Sequence, residues 1–158
     1  MQRFLRLAIA TLAITSAAAA FAADNSLGSW KLNVAKSKYS PGPLPVKSLS
    51  STREADGEGV KVTTTGERAD GSAINATYTA KFDGTPASVS GQGAPYDTIS
   101  LKQVNANTFS YESKNSTNKY HVSGRLVISA DGKTMTMNAK GTDAAGKPIS
   151  ITLVYDKQ

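Results

Sequence analysis

"TMTMNAKGTDAAGKPISITLVYDK", Thr134 to Lys157, is the stretch that decides the fold. Met135, Met137 and Ala139 alternate with Thr134, Thr136, Asn138 and Lys140; after the polar Asp143 to Lys147 the pattern resumes, with Ile149, Ile151, Leu153 and Tyr155 against Ser150, Thr152 and Asp156. Successive side chains of a strand point to opposite faces. A sustained period of two therefore predicts two antiparallel strands, each with one buried and one solvated face, joined by a turn.

The same parity extends through the chain in Tyr120, Val122, Leu126 and Ile128, in Ile74, Tyr78 and Phe82, and in the pairs Ile99/Leu101 and Phe109/Tyr111. Near the N-terminus it places Trp30, Leu32 and Val34 on one face. Helical periodicity is absent. Asp-Gly at 56–57, 70–71, 83–84 and 131–132 supplies the positive φ angles that tight hairpins need. Between such turns, strands are predicted near 26–33, 46–54, 60–67, 73–82, 87–91, 97–104, 108–115, 119–129, 133–141 and 148–156. Pro41, Pro43 and Pro45 remove backbone donors, so the segment from Ala35 to Pro45 is expected to be a loop, or a short helical turn and a loop, and a candidate lid.

Many short strands with one apolar face each call for closure, because an open sheet leaves edges and half of its apolar face uncovered. The expected class is all-β, an antiparallel up-and-down β-barrel of about 8–10 strands. A β-sandwich is the alternative, disfavoured because short hairpin links leave few long crossovers for Greek-key connections.

Residues 1–22 read as a signal peptide: Arg3 and Arg6 begin it, Leu7 to Ile14 is its apolar run, and Ala20-Phe21-Ala22 is a small-x-small cleavage pattern. Residues 23–158 then form a single domain, with the periplasm or exterior of a bacterium as the expected destination. The apolar run is shorter than the roughly 20 residues a bilayer span requires, so no stable membrane anchor is expected. Removing the leader lowers the net charge from +6 to +4. No dense Lys/Arg block suggests nucleic acid as a partner, and 0 Cys excludes thiolate metal sites and a cysteine nucleophile. The chain is expected to be monomeric.

Gly28-Ser29-Trp30 on a first strand, a meander of hairpins, and a terminal Val154-Tyr155-Asp156-Lys157 resemble the calycins, the superfamily of lipocalins and fatty-acid-binding proteins, and a class of secreted bacterial lipocalin-like proteins. The resemblance implies a barrel around a small hydrophobic or amphipathic ligand, with Trp30 closing one barrel end and Lys157 available to lie against it. It departs from the fatty-acid-binding pattern in the last strand. The Arg-x-Tyr anion clamp expected there is replaced by Leu153-Val154-Tyr155.

Buried tyrosines need hydrogen-bond partners, so an interior holding Tyr78, Tyr111, Tyr120 and Tyr155 is amphipathic, and Phe109, Met135 and Met137 complete the candidate ligand-contacting set. The competing reading is that these rings only fill a core. His121 is the sole histidine and falls on the outward parity with Ser123 and Arg125, which leaves a general base or metal ligand without local support. Glu54, Asp56 and Glu58 fit an acidic hairpin tip; a calcium loop begun at Glu54 needs glutamate at its twelfth position, where Thr65 stands. Lys36, Lys38 and Lys47 read as a solvated rim or an electropositive mouth. The expected function is non-enzymatic binding of a small molecule, without cofactor or metal; the alternative is a packed barrel acting through its surface in the cell envelope.

Overall fold

A computed structural model describes residues 25–158; the predicted signal peptide lies outside the described residues. The strands are β1 (Gly28–Leu32), β2 (Lys38–Ser40), β3 (Val46–Asp56), β4 (Gly59–Arg68), β5 (Ala73–Lys81) and β6 (Asp83–Ser88). They continue as β7 (Ser90–Gln92), β8 (Thr98–Asn105), β9 (Thr108–Lys114), β10 (His121–Ile128), β11 (Thr134–Thr142) and β12 (Pro148–Lys157). All belong to one antiparallel sheet, ordered β6-β8-β9-β10-β11-β12-β1-β3-β4-β5-β7, with β2 paired to β12. The sheet is a nearly closed barrel: its two end strands are neighbours in sequence, and β5 packs against β6 and β8 across the seam.

The Thr134–Lys157 hairpin forms in the expected register, with Met135 opposite Tyr155, Met137 opposite Leu153 and Ala139 opposite Ile151. Twelve strands stand where eight to ten were expected, and both differences have local causes. β1 and β2 run in succession along β12, interrupted by a single 3-10 turn at Val34–Lys36. Asn33 caps that turn, accepting from the Lys36 N–H. Ser37 Oγ then donates to the Asn33 carbonyl at 2.7 Å and accepts from the Val154 N–H at 3.0 Å, satisfying the ladder groups that the bulge would orphan. Lys38–Ser40 thus rejoins the sheet before the prolines begin, within the segment expected to stay outside it. The same turn ejects Val34, which is 44% exposed although its parity matches Trp30 and Leu32.

The second difference lies at Asp83-Gly84. It is not a hairpin turn: Gly84 (φ +90°) lies inside β6, which pairs with β8 instead of returning along β5, while β7 supplies a short partner to β5. The expected strand 87–91 is accordingly split at Val89. Elsewhere the Asp-Gly turns behave as expected; Gly57 takes φ +55° between the paired Asp56 and Gly59.

Glycines at sheet corners allow the curvature that closure requires. A Cβ on Gly124 would stand 2.0 Å from the Asn138 carbonyl oxygen, and one on Gly141 1.9 Å from that of His121, so β10 and β11 approach each other at these positions only because neither residue has a side chain.

Candidate functional site

Inward-facing side chains line a cavity of about 340 Å³ within the barrel. Its wall is built in rows across neighbouring strands. Leu153, Met137 and Leu126 follow one another across β12, β11 and β10, Tyr111 and Leu101 across β9 and β8, and Arg53, Val62 and Tyr78 across β3, β4 and β5. Tyr39, Pro45, Tyr96, Asp143 and Ala144 contribute at the end where the turns joining β4 to β5, β9 to β10 and β11 to β12 gather. This end is the mouth, and part of the proline segment lies beside it. A second flank, Gly93 to Tyr96, is held by a hydrogen bond from Arg68 Nη2 to the Gly93 carbonyl. Tyr96 stacks on Tyr120, with ring centroids 6.2 Å apart.

The opposite end is closed by Trp30, which is 1% exposed. Its Nε1 donates to the Ser26 carbonyl at 2.9 Å, and Lys157 Nζ sits 5.1 Å from the ring centroid in a cation–π contact. The β1–β12 register sets Trp30 opposite Lys157, which brings the ammonium over the ring.

Besides Tyr39 at the mouth, five tyrosines, Tyr78, Tyr96, Tyr111, Tyr120 and Tyr155, face the cavity. Burial pushes the phenol of each above its ordinary value of 10.0, with neighbouring tyrosines adding to the effect for all but Tyr78. Hydrogen bonds from Arg53 to Tyr78 and between Ser113 and Tyr120 act in the opposite direction. At neutral pH the cavity therefore presents uncharged hydroxyls on an apolar wall.

Among the described residues, its one deeply buried charge is Arg53. The side chain is 4% exposed, and no ion pair among the described residues includes it. Arg53 lies on the inward parity of β3 behind Leu49 and Ser51, two residues nearer the β3–β4 turn than Ser51, which is opposite Trp30. It is thus at the deep end, remote from the mouth. That parity is the available signal: Arg53 is a charged side chain in phase with Leu49, while the acidic residues after it belong to the exposed tip.

Of the ligand-contacting residues expected from sequence, Tyr78, Tyr111, Tyr120, Met135, Met137 and Tyr155 line the cavity together. Phe109 does not: it is fully buried against Phe82, at 4.9 Å between centroids, in the core beside the cavity. Trp30 is likewise absent from the lining. His121 is exposed on the outer face of β10, with Nε2 2.7 Å from Glu112 Oε1. Glu54, Asp56 and Glu58 are exposed around the β3–β4 turn, and no group of three or more metal-ligating side chains occurs among the described residues. Lys36, Lys38 and Lys47 are exposed, and Lys47 pairs with Glu67 at 2.7 Å, so its charge is partly compensated.

No protein-family model matches the chain, and no curated protein matches it. Solved structures do. The chain is similar to the one described as "Structure of EF1p2_mFAP2b bound to DFHBI", with 10% identity, a TM-score of 0.52, and coverage of 87% of this chain and 98% of that one. It also matches a redesigned beta barrel, mFAP1, bound to DFHBI, with 11% identity, a TM-score of 0.46, and coverage of 84% and 95%. At such identity the likeness concerns the fold: this chain is an antiparallel, nearly closed β-barrel.

Proposed function

We propose that the protein is an exported, non-enzymatic binding protein that holds one small amphipathic molecule inside the barrel. The observation that carries this reading is the cavity of about 340 Å³, within the range of small-molecule sites, combining an apolar wall with a few convergent hydroxyls. Leu101, Leu126, Met135 and Leu153 would take an apolar body, and the methionines can adapt to its shape. The structural neighbours carry a small molecule, DFHBI, and lend support by analogy of fold. A packed barrel acting through its outer surface has less support, because side chains leave this interior unfilled. The absence of catalysis is favoured by His121 lying on the outer face, and export by the leader pattern of residues 1–22.

Decanol, calorimetrically titrated into the protein, is expected to bind saturably at one site, with a negative heat-capacity change as apolar surface is buried. Met137→Trp, which fills the cavity from β11, is expected to weaken decanol binding at least tenfold while the circular dichroism of the barrel is kept. Undiminished binding to a folded Met137→Trp protein would place the ligand elsewhere.

A further inference from the structure

We infer that the ligand is a monoanion carrying a carboxylate, which pairs with Arg53 at the deep end of the cavity while its apolar body extends toward the mouth; this rests on the binding reading above. An arginine guanidinium carries a positive charge and five donors. In Arg53 the Nε and Nη2 atoms are both buried and without a hydrogen-bond partner among the described residues. These two nitrogens lie on the same edge of the guanidinium, and their N–H bonds form the side-on fork that receives both oxygens of one carboxylate. The interaction with Tyr78 leaves both of these nitrogens without a partner.

A cation so placed requires compensation, because an unpaired charge withdrawn from water is costly. The described residues do not supply it. Besides Arg53, the charged residues of the lining are Arg68, which is committed to the Gly93 carbonyl, and Asp143, which lies at the mouth. The surrounding phenols are neutral donors, suited to an anion's remaining lone pairs and unable to neutralise Arg53 themselves. Tyr78 is in the same cross-strand row as Arg53, and Tyr155 feels its charge. One buried cation matches one negative charge; a dianion would leave a net charge in the same apolar surroundings. The arginine absent from the last strand is thus answered by one from β3, on a different wall of the barrel.

The test compares decanoate, decanol and decyl phosphate, which share a chain and differ in head group, by calorimetry at pH 7.5 against the full-length protein and its Arg53→Met and Arg53→Lys variants. Decanoate is expected to bind at least tenfold more tightly than decanol and more tightly than decyl phosphate. Arg53→Met should bring the decanoate-to-decanol ratio near one while decanol still binds, and Arg53→Lys should retain an intermediate preference. Decanol binding the wild-type protein as tightly as decanoate would overturn the anion assignment and leave the cavity reading standing. Tighter binding of decyl phosphate would overturn the choice of carboxylate. Failure of all three compounds to bind would overturn both readings. Because the wild-type comparison needs no variant, the outcome does not depend on Arg53→Met folding.

Discussion

Replacing Trp30 with alanine is expected to cost the barrel about 3–5 kcal/mol, the range for truncating a fully buried large aromatic side chain. Three losses coincide at this position. The indole leaves a void in the closed end, where it is 1% exposed; the Ser26 carbonyl loses the Nε1 donor at 2.9 Å; and Lys157 loses the ring face 5.1 Å away. Domains of this size have a total stability of about 5–15 kcal/mol, so the variant should be near its unfolding threshold at ambient temperature. Urea denaturation followed by circular dichroism measures the difference. Trp30→Phe, which keeps most of the bulk and loses the donor, should fall between the two proteins. If Trp30→Ala melts within about 1 kcal/mol of wild type, the residue does not close the barrel in the way described.

The second large effect is alkaline unfolding. Tyr111 and Tyr155 are 8% and 5% exposed, and burial raises both phenols above the ordinary value of 10.0. Above pH 10 the unfolded chain releases these protons and the folded chain retains them. The folded state then binds more protons, so stability falls as pH rises; it is fully present below the unfolded value and is lost on the way up toward the folded one. Each tyrosine contributes a slope of about 1.4 kcal/mol per pH unit, so the two together contribute about 3 kcal/mol per unit between pH 10 and roughly 12. Urea midpoints across this interval should fall steeply. Phenolate absorbance near 295 nm should appear with the loss of structure, and Tyr111→Phe and Tyr155→Phe should each flatten the slope. A flat stability profile, or phenolate forming at pH 10 in the folded protein, would contradict the burial of these rings.

The barrel was legible in the sequence because its evidence is local and repeated. Met135, Met137 and Ala139, then Ile149, Ile151, Leu153 and Tyr155, carry strict alternation, and a one-residue slip would turn every one of them to solvent. Most of the cavity wall follows from the same parity. What alternation cannot report is where a strand stops obeying it. Val34 has the inward phase and faces solvent because Asn33 starts a 3-10 turn; Asp83-Gly84 has hairpin chemistry and instead enters β6, which pairs with β8. Phe109 shows a second limit. Inward parity places a side chain inside the barrel without distinguishing the cavity wall from the packed core beside it, and Phe82 decides the matter by covering the ring. Arg53 was readable from its phase with Leu49, but its lack of a counter-charge depends on strands remote in sequence and appears only in the folded chain.

Methionine methyl resonances give the most direct measurement of whether this interior receives a ligand. The chain has 3 Met, of which Met135 and Met137 line the cavity. During titration with decanoate, the account predicts that the Met135 and Met137 methyls shift together along one saturable isotherm. Binding that leaves both barrel methyls unmoved, or the absence of any binding, would contradict it.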